Sequence, residues 1–261
     1  MNRIDRLFSE KSGEILSIYI TAGYPGLTDT PILLKALQDH GADMVEIGIP
    51  FSDPLADGPV IQRSSQVALG NGMNLELLFR QLAGIRESVH IPLVMMGYLN
   101  PVLQMGMDIF LEKCEQTGID GVIIPDLPPD EYDSKYRELF QSFGIHFTML
   151  ITPQTDANRI KRIAGLSKGF LYLVADASTT GSKSKVGSHQ LAYFKRIKEM
   201  DLQVQGLVGF GISNHETFMA ASTYTSGAII GSAFIKALGE EEPQLLEEKV
   251  KTFIRQIRND G

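Results

Sequence analysis

Short apolar runs alternate with amphipathic helical stretches along the whole chain, and this alternation most constrains its fold. Eight runs predict strands: Leu16–Thr21, Met44–Gly48, Leu93–Gly97, Gly121–Pro125, His146–Ile151, Phe170–Val174, Val204–Val208 and Gly227–Ile230. Apolar residues at helical spacing predict helices at Asp29–His40, Leu75–Val89, Ile109–Thr117, Ser134–Phe143, Asn158–Leu166, Gln190–Met200, His215–Ser222 and Gln244–Arg258. Eight strands, each followed by helical sequence, predict a closed parallel (β/α)₈ barrel.

The barrel is expected to form one domain over residues 1–261, because no linker or composition break interrupts the repeat. An extra N-terminal helix is predicted from Ile4, Leu7 and Phe8, which lie at helical spacing among charged residues. A doubly wound open sheet is the alternative. It is disfavoured because such sheets usually contain fewer strands.

Charge and composition narrow the classes of partner. The net charge is −7 without a basic cluster, which argues against nucleic acid or an anionic membrane surface as the main partner. No apolar run approaches the roughly 18 residues of a membrane-spanning helix. The N-terminus lacks the features of a secretion signal and Cys114 is the single cysteine, so we expect a cytoplasmic protein.

The segment Val45–Pro59 carries the first chemical signal. It places Glu46 inside an apolar strand and two aspartates, Asp53 and Asp57, in the Pro- and Gly-rich loop that follows. Burial disfavours the charged form of a carboxyl group, so the pKa of Glu46 is expected to rise toward neutrality, as general acid–base catalysis requires. The alternative is a buried glutamate that is held by hydrogen bonds for structure alone.

The residues at the predicted strand ends limit the chemistry further, because active sites of such barrels lie at the carboxyl ends of the strands. No lysine lies there, which disfavours a Schiff base. No metal-binding histidine set and no Ser-His-Asp group converges, so neither a metal nor a cofactor is expected. Carboxylates and hydroxyls remain, namely Glu46, Asp57, Tyr98, Asp126, Asp176 and Thr180. They favour proton transfer by carboxyl groups.

Glycine pairs after the last strands form a second signal. Thr180-Gly181 follows the sixth predicted strand, Gly209-Phe210-Gly211 the seventh and Gly231-Ser232 the eighth, with a short helix expected at Ala233–Ala237. Phosphate sites in these barrels use the loops after strands seven and eight together with a helix N-terminus. These glycines therefore predict a phosphate site, although a simple turn would explain any one of them.

Four motifs together resemble the tryptophan synthase alpha chain family: VEIGIPFSDPLADGP, IIPDLPPDE, GFGIS and GAIIGSAFIK. The resemblance runs from about Asn2 to the final helix. It implies a metal-independent carbon–carbon lyase that cleaves indole-3-glycerol phosphate to indole and glyceraldehyde 3-phosphate, a retro-aldol step of tryptophan biosynthesis. It also implies a beta-chain partner in an α₂β₂ heterotetramer.

The resemblance also implies roles for individual residues. Glu46 would be the acid–base, Asp57 would stabilise positive charge at the indole N–H, and Tyr172 matches an active-site tyrosine. The other implied contacts are Tyr19, Tyr98, Ile123, Ile151 and Phe210 for the indole pocket, Thr180, Gly181, Gly211, Gly231 and Ser232 for the substrate phosphate, and Asp53, Pro54 and Asn100 for the beta chain.

One stretch departs from the family. In Ala175–Gly187, Ser178 and Thr179 stand where many members have Gly-Val, which leaves open how this loop closes over a substrate. Three alternatives also stay open: a free-standing indole-3-glycerol phosphate lyase, a non-catalytic barrel that activates a partner, and another phosphosugar enzyme such as an isomerase. The last would lack the pair of Glu46 and Asp57.

Overall fold

The computed structural model describes residues 1–175, 187–239 and 245–259. Within these residues the strands are β1 (Ile15–Thr21), β2 (Met44–Gly48), β3 (Leu93–Met96), β4 (Gly121–Ile123), β5 (His146–Phe147), β6 (Leu150–Ile151), β7 (Phe170–Val174), β8 (Gln205–Gly209) and β9 (Gly227–Ile230). The helices are α1 (Arg3–Glu10), α2 (Thr30–Asp39), α3 (Pro59–Gly70), α4 (Leu75–Leu82), α5 (Leu99–Met105), α6 (Met107–Thr117), α7 (Pro129–Glu131), α8 (Arg137–Ser142), α9 (Ala157–Leu166), α10 (Ser188–Glu199), α11 (His215–Ser222), α12 (Ser232–Leu238) and α13 (Leu246–Arg258).

The strands close into a barrel. Their order is β5-β4-β3-β2-β1-β9-β8-β7-β6, and the registered pairs are parallel. β5 and β6 are two pieces of one strand position, because only Thr148 and Met149 separate them. The Thr148 N–H donates to the Val122 carbonyl at 3.0 Å, and the Tyr172 N–H donates to the Met149 carbonyl at 2.9 Å. The ring is therefore continuous, and the predicted (β/α)₈ barrel is confirmed with β8 and β9 at its seventh and eighth positions.

Several predicted boundaries need correction. The predicted helix Leu75–Val89 ends at Leu82, because Ala83 is extended and Gly84 has a φ of 76°, and only a 3₁₀ turn at Ile85–Glu87 follows. The predicted helix Ser134–Phe143 begins earlier, at Pro129, and passes through a π-helical turn at Tyr132–Tyr136. The predicted fifth strand is broken in two. The sequence did not predict α3 or α5, whose N-terminal turns belong to loop-like Pro- and Gly-rich sequence.

Side chains of the strands divide between two apolar clusters, as strand alternation requires. The interior cluster fills the barrel and contains Ile15, Met44, Val94, Ile123, Phe170, Tyr172, Leu207 and Ile229. The outer cluster joins the opposite strand faces to the surrounding helices, as Ile18, Val45 and Leu173 do with Leu33 of α2 and Phe194 of α10. The inward positions of β2 are consequently Met44, Glu46 and Gly48.

The N-terminal helix α1 closes one end of the barrel. Its Ile4 is fully buried in the interior cluster, and the Phe8 ring lies 6.3 Å from that of Phe170. Full burial of such a side chain contributes about 1.5–3 kcal/mol. Asn2 caps the helix by accepting from the Ile4 N–H at 2.9 Å, and its amide also donates to the Asp120 carbonyl at 2.8 Å. The predicted N-terminal helix is thus confirmed, and it leaves the carboxyl ends of the strands as the open mouth.

Candidate active site

Glu46 lies in the middle of β2 and faces the barrel interior. Its register neighbours are Tyr19 on β1 and Val94 on β3, and Val94 belongs to the interior cluster. Met44, two residues earlier on the same face, packs in that cluster as well. The strand geometry therefore places a carboxyl group in an apolar lumen, as the alternation of residues in Val45–Pro59 predicts.

The environment of Glu46 favours its neutral form. The side chain is 0% exposed, and neither carboxyl oxygen has a hydrogen-bond partner among the described residues. Burial raises the pKa of Glu46 to about 8 from its usual 4.5. The nearby Ser17 hydroxyl opposes this rise in pKa, but it is not placed to complete a hydrogen bond, and no cation of the described residues contributes. Glu46 therefore carries a proton at neutral pH.

Asp57 lies in the loop between β2 and α3 and has a different environment. The Tyr98 hydroxyl donates to an Asp57 carboxyl oxygen at 3.2 Å and accepts from the Ala56 N–H at 3.0 Å. Burial raises the pKa of Asp57 to about 6, and the Tyr98 hydrogen bond limits the rise. Tyr98 is itself held by stacking on Phe51, with ring centroids 5.1 Å apart. At pH 7 Asp57 is mainly ionised while Glu46 is mainly protonated.

Two further tyrosines face the same space as Glu46. A side chain at Gly48 would overlap the Tyr19 hydroxyl, and one at Gly209 would overlap the Tyr172 hydroxyl, so both glycines make room for these rings. Burial raises the pKa of both tyrosines, and the Glu46 carboxylate adds to the rise. Both phenols therefore stay neutral and can donate hydrogen bonds.

The apolar lining differs in one respect from the residues named from the sequence. Ile123 lies in the interior cluster, and the Phe210 ring packs edge-on against Tyr172 at 6.2 Å. Ile151 instead packs in the outer cluster, while its neighbour Leu150, in register with Tyr172, packs against the interior cluster. The barrel thus brings Leu150 to the lumen where the sequence analysis named Ile151. Strand alternation could have found this position only if the inward face of β6 were known.

The glycine turns at the seventh and eighth positions lie at the mouth. Phe210 and Gly211 both have left-handed backbones, with φ of 67° and 80°, which turns the chain sharply after β8. Gly231 precedes α12 and packs beside Tyr19, since a Cβ there would lie 3.4 Å from the Tyr19 Cβ. Ser232 is the first residue of α12 and is exposed. Thr180, Gly181, Ser178 and Thr179 lie outside the described residues.

The residues named for partner contact lie on the rim beside this mouth. Asp53 is exposed and accepts from the Ser52 hydroxyl at 2.6 Å, while Pro54 is buried beneath it. Leu55, which the sequence analysis did not name, is 90% exposed. Asn100 is exposed in the first turn of α5, which Asp126 caps by accepting from the Leu99 N–H at 2.9 Å. Asp126 is therefore engaged in holding a helix.

Among the described residues, no group of three or more His, Cys, Asp or Glu could hold a metal ion. No helix in this part of the chain is long and apolar enough to cross a membrane. Fold and site together define a (β/α)₈-barrel enzyme of the class that holds ionisable groups at the carboxyl ends of its strands.

Known proteins show which member of that class this is. The family model "Tryptophan synthase alpha chain" matches residues 6–260. The chain is 52% identical over 258 residues to the tryptophan synthase alpha chain of Flavobacterium johnsoniae, covering 99% of this chain and 100% of the relative. It is 56% identical over 240 residues to that of Flavobacterium psychrophilum, covering 92% and 94%.

Solved structures agree with the sequence comparisons. The alpha chain from Legionella pneumophila superposes with a TM-score of 0.86 at 32% identity, covering 100% of this chain and 99% of that one. A chain of the tryptophan synthase complex from Pyrococcus furiosus gives a TM-score of 0.84 at 32% identity, covering 94% and 97%. The chain belongs to the tryptophan synthase alpha chain family. It is a carbon–carbon lyase of tryptophan biosynthesis that cleaves indole-3-glycerol phosphate.

Proposed function

We propose that Glu46 and Asp57 carry out this cleavage with divided roles. The observation that carries the proposal is the opposite protonation of the two carboxyl groups at neutral pH, with Glu46 buried and neutral and Asp57 ionised beside Tyr98. Two carboxyl groups whose environments separate their pKa values identify an acid and an anion. The proton transfers that we propose need neither a metal ion nor a cofactor.

The reaction balances with these two groups. Protonated Glu46 delivers its proton to indole C3, and the positive charge that then develops at the indole N–H is stabilised by the Asp57 carboxylate. Glu46, now a carboxylate, removes the proton of the glycerol hydroxyl next to that carbon. The carbon–carbon bond breaks as the aldehyde forms, which releases indole and glyceraldehyde 3-phosphate and restores the protonated Glu46.

The surrounding residues supply binding. The indole ring would pack against Ile123, Leu150 and Phe210, with Tyr19, Tyr98 and Tyr172 around it. The phosphate would bind at the turns of Gly211, Gly231 and Ser232, where left-handed backbone and the start of α12 present N–H groups. Thr180 and Gly181 are proposed to complete this phosphate site on the basis of the family resemblance alone.

Substitution of the acid tests the mechanism. Indole release from indole-3-glycerol phosphate is expected to fall about 10²–10⁴-fold in Glu46→Gln, because the amide cannot transfer the proton. The variant is expected to keep the fold and to unfold cooperatively on heating, since Glu46 is already neutral in the wild-type chain. Glu115→Gln, at an exposed position of α6, is the matched control and should retain full activity. Turnover near the wild-type rate in Glu46→Gln would refute the assignment.

We further propose that the chain works in the cytoplasm with a tryptophan synthase beta chain, in an α₂β₂ heterotetramer. The exposed rim of Asp53, Leu55 and Asn100 beside the mouth supports this, and the chain resembles a component of the Pyrococcus furiosus complex. Light scattering should show a heterotetramer on mixing with a beta chain, and indole release should accelerate. A full rate of indole release without a partner would favour the free-standing lyase. Activation of the beta chain without any indole release by this chain would favour the non-catalytic barrel.

A further inference from the structure

Ser17 of β1 is a buried polar residue to which the mechanism gives no role. Its register neighbours are Met44 on β2 and Ile229 on β9, and both belong to the interior cluster. Ser17 therefore faces the lumen, as Tyr19 does two residues later on the same strand. The inward residue before it on β1, Ile15, belongs to the same apolar cluster.

The Ser17 hydroxyl has no hydrogen-bond partner in the part of the chain that the structure describes, although the residue is 0% exposed. An unsatisfied buried hydroxyl is costly, and alanine or valine would fill the same strand position without that cost. Both carboxyl oxygens of Glu46 are also without partners. Glu46 is in register with Tyr19, so Ser17 lies one inward step below it on the adjacent strand. Such diagonal neighbours are within reach of a long side chain.

Two adjacent polar groups that both lack partners are readily satisfied by each other once Glu46 is ionised. A neutral carboxyl gains little from the hydroxyl, whereas a carboxylate accepts a charge-assisted hydrogen bond that is about twice as strong as a neutral one. Glu46 must pass through the carboxylate form in each cycle of the proposed reaction. The mouth offers it no cation among the described residues, and among the described hydroxyls around Glu46 the one of Ser17 is the one that lowers its pKa.

We propose that Ser17 is a positioning residue for Glu46, and that its hydroxyl donates a hydrogen bond to the Glu46 carboxylate when that group is ionised. The proposal deepens the proposed function, on which its link to catalysis rests. By holding the carboxylate, Ser17 sets how readily Glu46 gives up its proton. It also positions the Glu46 carboxyl oxygens that accept the proton of the substrate hydroxyl.

Direct titration of Glu46 tests the contact without requiring activity. The chain is labelled with ¹³C at glutamate side-chain carboxyls, and the Glu46 signal is assigned by its loss in Glu46→Gln. Within the described part of the chain, the other titratable groups that face Glu46 are Tyr19 of β1, Tyr172 of β7 and, nearer the mouth, Asp57. These three are unchanged in every Ser17 variant.

In Ser17→Ala the midpoint of the Glu46 titration is expected to move up by about one to two pH units, because a hydrogen bond to the charged form is lost. Ser17→Thr retains the hydroxyl and should stay within about half a unit of the wild-type midpoint. Ser226→Ala removes another buried hydroxyl, which donates to the Gln205 side chain of β8, and should leave the midpoint unchanged. An unchanged midpoint in Ser17→Ala would overturn the proposal.

A second readout links the contact to catalysis. The alkaline limb of kcat/KM for indole release should move up with the Glu46 midpoint in Ser17→Ala, while Ser226→Ala keeps the wild-type profile. If Ser17→Ala does not fold, Ser17→Cys, with its weaker donor, should still raise the midpoint, and no shift would overturn the proposal. If the Glu46 midpoint moves up in Ser17→Ala but the alkaline limb keeps its wild-type position, the proposed role of Glu46 as the acid is refuted while the Ser17 contact stands.

Discussion

The two ends of the barrel treat their carboxylates in opposite ways. At the closed end, Asp120 accepts from Arg3 at 3.0 Å and from Arg86 at 2.5 Å, and the buried Leu93 N–H also donates to it. Asp43 is held in the same manner by Lys11 and Arg258. At the open end, Glu46 has no partner at all, and Asp57 has only the hydroxyl of Tyr98 within the described residues.

The difference separates stability from reactivity. A buried carboxylate that is paired with cations and hydrogen-bonded holds distant elements of the chain together. A buried carboxyl group without a cation, such as that of Glu46, has a raised pKa and can give or take a proton near neutral pH. The barrel therefore uses carboxyl groups to hold its elements together at the closed end and to transfer a proton at the open end.

The largest effect is expected from removing the Asp120 carboxylate at the closed end. Asp120→Asn should lower the free energy of unfolding by about 3–5 kcal/mol, because Arg86 would be left buried without its carboxylate. Denaturant unfolding measures this loss, and indole release per folded molecule should be unchanged. Asp133→Asn removes an exposed partner of Arg137 and is the matched control, with an expected loss of under about 0.5 kcal/mol. A small loss of unfolding free energy in Asp120→Asn would contradict the stabilising role of the paired carboxylate at the closed end.

The unpaired Glu46 at the open end is expected to make the free energy of unfolding depend on pH. The folded-state pKa of Glu46, about 8, lies above its usual 4.5, so the folded chain holds a proton that the unfolded chain has released between these values. The stability contributed by this proton is complete below about pH 4.5 and is lost as the pH rises through 8. Glu46→Gln should lack this part of the dependence.

Unfolding free energies measured from pH 5 to pH 9 in both chains test this expectation. The difference between wild type and Glu46→Gln should change steadily in favour of the variant as the pH rises, by a few kcal/mol. Asp57, with a raised pKa of about 6, adds a smaller change in the same direction to both chains and cancels in the difference. A flat difference would mean that Glu46 is not desolvated in the folded chain.

The smallest effect is expected at the hydrogen bond between Tyr98 and Asp57. Tyr98→Phe removes the bond that limits the rise of the Asp57 pKa, so less Asp57 is ionised near pH 6. Indole release at pH 6 should fall about threefold to tenfold and recover in part at pH 8. Tyr193→Phe removes a hydroxyl that donates to the Ile151 carbonyl outside the lumen, and it should cost about 1 kcal/mol of stability without a pH-dependent change in rate. Equal losses at both pH values would contradict this role for Tyr98.

The periodicity of the sequence was sufficient to predict the barrel architecture. Alternation of apolar runs predicted eight strand positions, and β2, β7 and β9 begin and end where the sequence placed them. The N-terminal helix and the family followed from residue spacing and motifs. These features depend on local order along the chain, which strand and helix periods make visible without knowledge of contacts. The helices α3 and α5 were missed because their starts lie in proline-containing sequence, which as readily forms loops.

The partners of each side chain were decided by the tertiary structure. Glu46 and Asp43 lie only three residues apart in sequence, yet Glu46 is unpaired in the lumen among the described residues and Asp43 is bound by Lys11 and Arg258 from distant parts of the chain. The inward position of Leu150 and the proximity of Ser17 to Glu46 likewise depend on how strands align around a closed ring. Register and closure bring together residues far apart in sequence, and a single strand's period carries no information about its neighbours.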